Sequence, residues 1–250
     1  MKLIELLSVP DARPIDQLTE NQLKELQRAL SLLGYPVGDI DGLIGVRTRT
    51  AWTEFKTDVF QGNPTLIGKG SVQALQEKLD ALSTQLTGIL TDDSTKEDVI
   101  ISIKRECKAQ GIGLNSQIAY VLATTEWESA QTFRPVREAF WLSEEWRRNN
   151  LRYYPYYGRG YVQITWKDNY KKFSEILGID LVNNPDQAMN PNIALFILVY
   201  GFKTGAFTGR SITDHITHQS VDFFNARRCI NGLDKASQIK LLAEKYLAQI

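Results

Sequence analysis

Residues 153–170 read YYPYYGRGYVQITWKDNY, and closely spaced aromatic residues there surround a Gly-Arg-Gly segment at 158–160. Aromatic faces stack on sugar rings, while amide and hydroxyl side chains such as Gln163 and Thr165 bind sugar hydroxyls. Glycine lets a backbone approach a ligand closely. The alternation of residues 161–165 is also typical of a buried strand. A strand alone does not require the glycines, so we interpret the stretch as a carbohydrate site.

The composition fits one large or two ordinary domains. The chain has 250 residues, 43% of them hydrophobic, which is enough for sizeable cores. Lysine plus arginine and aspartate plus glutamate both number 29, so the formal net charge is zero. Broad nucleic-acid binding would need a basic excess. We therefore predict no nucleic-acid partner.

The cysteines and the N-terminus indicate the cellular setting. Cys107 and Cys229 are the two cysteines, too few for a disulfide framework, and we favour two reduced thiols. Residues 1–14 contain a short apolar patch interrupted by Glu5, which is not a secretory signal. No run approaches the roughly 18 apolar residues of a membrane helix. We expect synthesis in the host cytoplasm without a signal peptide, and no membrane insertion.

Three helices are predicted within residues 1–83. Thr19 is the expected N-cap of an amphipathic helix over residues 19–33, with Gln22 placed for a capping box. A turn-rich segment follows, and a second helix begins near Thr48. Apolar residues at helical spacing predict a third helix over residues 71–82.

The pattern from Leu26 to Phe55 resembles the small peptidoglycan-binding domain found at the ends of many wall hydrolases, with its DG-x-x-G turn between two helices. The resemblance implies a wall-binding domain over residues 1–83, followed by a linker at 84–94. A generic helical hairpin with a glycine-rich turn is the alternative. The wall contacts we expect in this domain are Tyr35, Asp41 and Arg47.

A strong helix is predicted over residues 114–129. Its buried stripe includes Thr125, and Glu128, three residues further on, extends the same face. Desolvation at such a position raises the pKa of a carboxyl group, which suits a general acid. Glu138 follows on the next segment, and two carboxylates beside a glycan groove are the minimum for glycoside hydrolysis. The other nearby glutamates keep the choice open on pattern alone; they are Glu126, Glu144 and Glu145.

Residues 125–133, TEWESAQTF, and residues 156–165, YYGRGYVQIT, together resemble glycoside hydrolase family 19, the chitinases and their lysozyme-like relatives among phage endolysins. The usual first motif of that family is His-Glu-Thr or His-Glu-Ser, and here Trp127 replaces the histidine. The second motif, GRG-x-x-Q-[LI]-[ST], is met in full. Residues 229–232, Cys-Ile-Asn-Gly, resemble a later sugar-binding segment of the family. The resemblance covers residues 95–250.

This resemblance implies a role for each matched residue. Glu128 would be the general acid, Glu138 the general base, ranked above Glu144 and Glu145, and Thr165 would hold the attacking water. Arg227 and Arg228 would orient carboxylates or bind wall carboxyl groups. The substrate-binding residues that we predict are Tyr157, Arg159, Gln163, Trp166, Asn169, Arg228 and Asn231.

The sequence thus predicts a mainly α protein, with a small three-helix peptidoglycan-binding domain and an α-rich, lysozyme-like catalytic domain over residues 95–250. The function we favour is that of an endolysin, a muramidase that cuts peptidoglycan strands by an inverting mechanism after holin-type release. Inversion needs the carboxyl groups roughly 6.5–9.5 Å apart. A chitinase and a non-catalytic wall-binding protein remain the alternatives. We expect a monomer.

Metal catalysis is not expected. His215 and His218 are the only histidines, whereas a zinc site needs three or four ligands from suitable residues. The GRG segment also lacks the Lys-Ser/Thr that follows a phosphate-binding loop. We predict neither a metal nor a cofactor.

Overall fold

The computed structural model describes residues 1–59, 62–88 and 90–250. It is mainly helical, which confirms the prediction of a mainly α protein. The chain divides into two compact units, Met1–Thr87 with Glu175–Gly178, and Gly88–Ser174 with Ile179–Ile250. Ile89, in the predicted linker, lies outside the described residues.

Among the residues that the structure describes, the first unit contains three α-helices and one small antiparallel sheet. Their bounds are Glu20–Leu32 (α1), Val46–Asp58 (α2), Lys69–Gly88 (α3), Arg13–Pro14 (β1) and Leu66–Ile67 (β2). The capping box of α1 is formed as predicted, since Thr19 and Gln22 each accept a hydrogen bond from the other's backbone N–H. The third helix continues past Leu82 to Gly88, so the start of the predicted linker is helical.

A buried glutamine holds the turn between α1 and α2. Gln27 is 1% exposed, and its Nε2 donates to Asp41 Oδ1 at 2.9 Å and to the Leu43 carbonyl at 3.0 Å. Its Oε1 accepts from the Gly42 backbone N–H at 2.8 Å. Gly42 has a φ of +77°, a left-handed conformation that favours glycine. One side chain therefore satisfies the polar backbone of the DG turn.

The remaining chain forms six helices and a second two-stranded sheet among the described residues. Their bounds are Lys96–Ala109 (α4), Asn115–Glu128 (α5), Val136–Arg137 (β3), Glu144–Asn150 (α6), Arg159–Gly160 (β4), Lys167–Leu177 (α7), Pro191–Thr204 (α8) and Ala236–Leu247 (α9). The sheet pairs β3 with β4 in antiparallel register, with Val136 opposite Gly160 and Arg137 opposite Arg159.

Helix α5 lies in the core of the second unit. Every residue from Gln117 to Thr125 is buried, so the burial extends well beyond the predicted stripe. Tyr120 stacks on Phe223 at a centroid distance of 5.9 Å and meets Phe202 edge-on at the same distance. Glu128 thus lies at the end of a helix that is fixed by its surroundings.

Residues 161–165 do not form the strand that their alternation allows. The chain turns instead, because Gly160 and Gln163 have φ values of +87° and +53°. Arg159 then pairs with Ile164 in an antiparallel bridge. The residues favour strands individually, but the turn places them in a tight hairpin at the end of β4.

Three further features concern membrane-spanning helices, the cysteines and metal binding. None of the described helices combines the length and apolar character needed to span a membrane. Cys107 and Cys229 are both buried and free. Within the described ranges, no group of three or more histidine, cysteine, aspartate or glutamate side chains is placed to hold a metal ion.

Replacing Gln27 with leucine should destabilise the first unit. The substitution keeps the volume but removes the partners of the Gly42 N–H and the Leu43 carbonyl, so we expect a loss of about 2–4 kcal/mol in the free energy of unfolding. Chemical denaturation followed by circular dichroism measures it. Gln73→Leu, on the exposed face of α3, is the control and should change stability by less than about 0.5 kcal/mol. Equal effects of the two variants would contradict the role given to Gln27.

Candidate active site

The carboxylate of Glu128 is held by a buried arginine. The Glu128 side chain is 17% exposed, and its Oε1 accepts a hydrogen bond of 2.7 Å from Nη1 of Arg227. The Arg227 side chain is 4% exposed and also donates to the Asp234 carbonyl at 3.0 Å. The Asn231 backbone N–H donates to the Arg227 carbonyl. We call Glu128, Arg227 and Asn231 the acid cluster.

The acid cluster agrees with two expectations, the partial burial of Glu128 and the role of Arg227 in orienting a carboxylate. Glu128 is partly buried, as its position on the stripe predicts. Arg227, which the sequence flagged for orienting a carboxylate, does contact Glu128. Because a buried guanidinium is costly without an anionic partner, the pair fixes the position of both side chains.

Both oxygens of Glu138 are bound within the hairpin region. Its Oε1 accepts a hydrogen bond of 2.6 Å from the Tyr153 hydroxyl, and its Oε2 accepts one of 2.9 Å from the Gly158 backbone N–H. The Glu138 backbone N–H donates to the Gly158 carbonyl at 2.7 Å. Burial and the hydrogen bond to Glu138 raise the pKa of Tyr153 to about 12, so the hydroxyl stays a donor at neutral pH.

The two competing glutamates have different surroundings. Glu144 is exposed at the start of α6, where it accepts hydrogen bonds from Tyr157 and Arg147. Glu145 is exposed and makes no hydrogen bond or ion pair with the described residues. Only Glu138 of the three is bound to the backbone of the GRG segment. The geometry therefore favours Glu138 as the second carboxylate.

The glycines of the GRG segment are required by close contacts. A Cβ at Gly158 would lie 2.7 Å from Oε1 of Gln163, and one at Gly160 would lie 3.2 Å from the Ala188 carbonyl. The Gln163 side chain in turn donates to the Val136 carbonyl at 2.7 Å and to the Gly160 carbonyl at 3.1 Å. Gln163 thus ties the hairpin turn to β3. Gln163 therefore has a structural role, and the substrate contact predicted for it would be a second role.

Arg159 is the centre of a buried polar cluster. Its Nε donates to Asp186 at 2.8 Å, and its Nη1 donates to the Pro155 and Tyr157 carbonyls and to the Tyr170 hydroxyl at 2.9, 3.2 and 3.0 Å. Its guanidinium carbon lies 3.6 Å from the centre of the Tyr157 ring. Arg137 donates to both carboxylate oxygens of Asp186, at 2.5 Å to Oδ1 and at 3.1 Å to Oδ2.

Two of the predicted substrate contacts therefore have interior positions. Tyr157 is 0% exposed and Arg159 is 3% exposed. The Tyr157 hydroxyl accepts from Arg137 and donates to Glu144. Neither buried side chain presents a surface to a sugar, contrary to the prediction of direct substrate contacts. Both hold the hairpin in place instead. The family motif matched, but the sequence does not show which matched residues face outward.

Other predicted residues remain accessible. Trp166 is 45% exposed, and its ring packs against Tyr153 at 5.0 Å, beside the base candidate. Thr165 is half-buried, and its hydroxyl has no hydrogen-bond partner among the described residues. Asn169 is half-buried and donates to the Thr165 carbonyl at 2.8 Å. We call Glu138, Tyr153, Gly158, Thr165 and Trp166 the GRG cluster.

The last two predicted substrate contacts are Asn231, which belongs to the acid cluster, and Arg228, which follows Arg227 in the chain. Arg228 is exposed, and its Nε donates to Asn225 Oδ1 at 3.2 Å. Asn231 is exposed, and its Oδ1 accepts from the Gly232 N–H at 2.8 Å. Both therefore have polar groups open to solvent.

The loop at 129–135 joins the two clusters along the chain and has an unusual backbone conformation. Ala130, Gln131 and Phe133 have φ values of +50°, +68° and +54°, which non-glycine residues seldom adopt. Phe133 is 0% exposed, and its N–H donates to Ser129 Oγ at 3.0 Å. No hydrogen bond or ion pair within the described ranges links the clusters directly. Backbone strain of this kind concentrates at functional sites.

The wall-contact residues predicted in the first unit have structural partners. The Tyr35 hydroxyl donates to Asp58 at 2.6 Å. Asp41 is exposed, but its carboxylate accepts from the Leu43 N–H and from Gln27, and these bonds hold its pKa below the usual range. Arg47 is exposed and lies beside Gly38. Of these residues, Arg47 is exposed and makes no side-chain hydrogen bond or ion pair with the described residues.

The structure also brings in residues that the sequence reasoning missed. Tyr153 binds Glu138, although it was quoted only as one of several aromatic residues. Asp186 binds Arg159, and Arg147 donates to the Glu138 carbonyl at 2.8 Å. A buried arginine needs a carboxylate, but nothing in the local pattern identifies Asp186 as that partner.

Comparisons with known proteins point to the same segment of the chain. Residues 128–221 match the family model of glycoside hydrolase family 19, described as chitinase class I. The match begins at Glu128 and includes Glu138 and the GRG segment. The similarity to this family therefore covers both carboxylates and the GRG segment, within less than half of the chain.

Individual relatives match over a short stretch. Chitinase 11 of Oryza sativa subsp. japonica is 42% identical over 66 residues, which cover 26% of this chain and 26% of that protein. Inactive chitinase-like protein 1 of Hevea brasiliensis is 38% identical over 65 residues, covering 26% of this chain and 21% of that protein. The chain thus spans about a quarter or less of the length of these curated relatives.

A solved structure with a similar course of the chain is chitinase C from Streptomyces griseus HUT6037. It is 20% identical, with a TM-score of 0.46 over 68% of this chain and 74% of that chain.

Replacing Asp186 with asparagine should destabilise the second unit at neutral pH. The hydrogen bond from Arg137, with the charge of Arg159, lowers the pKa of Asp186 below its ordinary 3.8. We expect a loss of about 1–3 kcal/mol, less than for a fully buried pair, because Asp186 is half exposed. Since the folded-state pKa is depressed, the stabilisation is present above pH 3.8 and is lost as the pH falls through the lower folded value.

Denaturation of wild type and Asp186→Asn between pH 7 and pH 2 tests this prediction, and the difference in stability should shrink towards the acid end. Asp92→Asn, at an exposed site without partners in the described structure, is the control and should be neutral. A difference that stays constant down to pH 2 would rule out the ionic contribution.

Proposed function

We propose that this chain is a glycoside hydrolase that cleaves the β-1,4 bonds of bacterial peptidoglycan, acting as a muramidase of the endolysin type. The observation that supports hydrolysis is the pair of held carboxylates on consecutive segments. Glu128 is bound by Arg227, and Glu138 is bound by Tyr153 and Gly158. Two carboxyl groups in defined positions are the chemical requirement of this reaction.

In the proposed mechanism, Glu128 protonates the glycosidic oxygen of the leaving sugar. Glu138 takes a proton from a water that attacks the opposite face of the ring. Each oxygen of Glu138 already accepts one hydrogen bond, but a carboxylate oxygen has a further lone pair for that water. The Thr165 hydroxyl, without a partner in the described part of the chain, would hold the same water.

The choice of peptidoglycan is supported by the first unit. Residues 26–55 resemble a peptidoglycan-binding module, and the DG turn central to that resemblance is built around Gln27. An attached wall-binding module would hold the enzyme at its polymer and raise the local substrate concentration.

Chitin is the second candidate substrate. It is favoured by the family model and by the chitinases among the relatives. A non-catalytic wall-binding role is the remaining alternative, since some relatives are named inactive chitinase-like proteins. Products distinguish all three.

Replacing Glu128 with glutamine should abolish hydrolysis, because the amide cannot donate the proton. We expect a fall in rate of about 100-fold or more. Purified peptidoglycan and chitin are digested in parallel, the fragments are reduced with borohydride, and the new ends are identified by mass spectrometry. Reduced MurNAc ends from wild type alone would support a muramidase, and reduced GlcNAc ends from peptidoglycan a glucosaminidase.

Glu145→Gln is the matched control, because Glu145 is exposed and unpartnered within the described residues, and it should keep wild-type activity. Thermal unfolding verifies that both variants are folded. Cleavage of chitin alone would favour the chitinase. The absence of new ends from either polymer would sink the hydrolase proposal and favour wall binding.

The stereochemistry of the first product tests the role of Glu138. An inverting enzyme releases the α-anomer from a β-linked glycan, which proton NMR detects before mutarotation. Glu138→Gln should lose activity by about 100-fold or more, because the water then lacks its base. Glu144→Gln, which changes a neighbouring carboxylate outside the GRG cluster, should retain most of the activity. A β-anomer as the first product would exclude inversion.

A further inference from the structure

Four cationic side chains are buried among the described residues, and one of them lacks an anionic partner. Arg147, Arg159 and Arg227 each lie within 3.1 Å of a carboxylate oxygen. Lys56, in α2, is 5% exposed, and no carboxylate in the described part of the chain lies within 4.0 Å of its Nζ. Burying an unpaired charge is costly, so Lys56 needs an explanation that the fold alone does not provide.

The neutral contacts of Lys56 satisfy it only in part. Its Nζ donates to Ser71 Oγ at 2.6 Å and to the Leu66 carbonyl at 3.4 Å, and it lies 5.6 Å from the centre of the Trp52 ring. An ammonium has three donors and carries a full charge. Burial lowers the pKa of Lys56, which is the direction expected when desolvation is uncompensated. An anion at this position would restore the interaction that burial removes.

Lys56 lines a cavity of about 390 Å³ in the first unit. This volume lies within the range of small-ligand sites. The other charged residues of the lining are Lys69 and Asp11, so the charges comprise two cations and one carboxylate. Asp11 is exposed and makes no ion pair with Lys56. The lining is therefore net positive, with its buried charge provided by Lys56.

The first turn of α3 lines the same cavity. Val72 makes the first intrahelical hydrogen bond, from its N–H to the Gly68 carbonyl. The N–H groups of Lys69, Gly70 and Ser71 have no acceptor among the described residues. A helix start with free N–H groups attracts anions through these donors and the helix dipole. Lys56 and the first turn of α3 thus line the same cavity, and both favour an anion.

We propose that this cavity binds a carboxylate of the peptide branch of peptidoglycan, with Lys56 as the charged contact and the first turn of α3 as the second contact. The inference rests on the proposed function for its choice of polymer. A neutral sugar would not compensate the charge of Lys56, whereas the peptide branch carries carboxylates. The site would let the first unit distinguish peptide-bearing glycan from chitin.

Muramyl dipeptide is the probe, because it carries one carboxylate and contains no β-1,4 bond for the enzyme to cut. Its binding to the full chain is followed by isothermal titration calorimetry and by the amide NMR signals of residues 69–71. The matched ligand is the same compound with its carboxylate amidated. We expect Lys56→Met to weaken binding about tenfold or more, as for loss of a charged hydrogen bond. Lys69→Gln should weaken it less.

Lys78→Gln, farther along α3 at an exposed position, is the control and should leave binding unchanged. If Lys56→Met does not fold, Lys69→Gln and the amidated ligand still test the site. Equal binding of acid and amide, no binding, or equally tight binding of inorganic phosphate would overturn the proposal. These outcomes are independent of whether Glu128 cleaves glycan, so a failure here differs from a failure of the hydrolase proposal.

Discussion

The guanidinium of Arg159 must find its acceptors inside the protein, because its side chain is 3% exposed. Asp186 supplies the charge, while the Pro155 and Tyr157 carbonyls supply backbone acceptors on the approach to the hairpin. These bonds fix the chain on both sides of Gly158. The Gly158 N–H then lies where it can bind Glu138. A side chain that is almost fully buried thus helps to determine where the Glu138 carboxylate lies.

Strained backbone is concentrated around the two carboxylates. Among the described residues, non-glycine residues with positive φ occur in the loop after Glu128, next to Glu138, in the hairpin turn at Gln163 and just after it at Trp166, with one further case at Lys235. Each such residue costs free energy that the surroundings must offset. Buried Phe133 and the hydrogen bonds of Gln163 provide local compensation. The positions of the carboxylates are therefore set by a network that a single helix or strand could not provide.

Features encoded within a few residues were predictable, and features that depend on distant partners were not. The capping box at Thr19 consists of local hydrogen bonds, and the start of α1 agrees with the sequence prediction. The strand that the alternation of residues 161–165 allows does not form, because the backbone turns at Gly160 and Gln163. Asp186 reaches Arg159 from a separate segment, and no periodicity specifies that contact. The outward or inward direction of motif residues such as Tyr157 is likewise a property of the packed structure.

Trp127 and Glu128 are adjacent in α5 but have different contacts. Consecutive helical residues point in different directions, and here they have separate neighbours. Trp127 lines a cavity of about 510 Å³ together with Leu241 and Leu242 of α9, whereas Glu128 binds Arg227. The Glu128 carboxylate is therefore oriented by Arg227 and by its place at the end of α5. The packing of Trp127 beside α9 and the orientation of Glu128 depend on different parts of the fold.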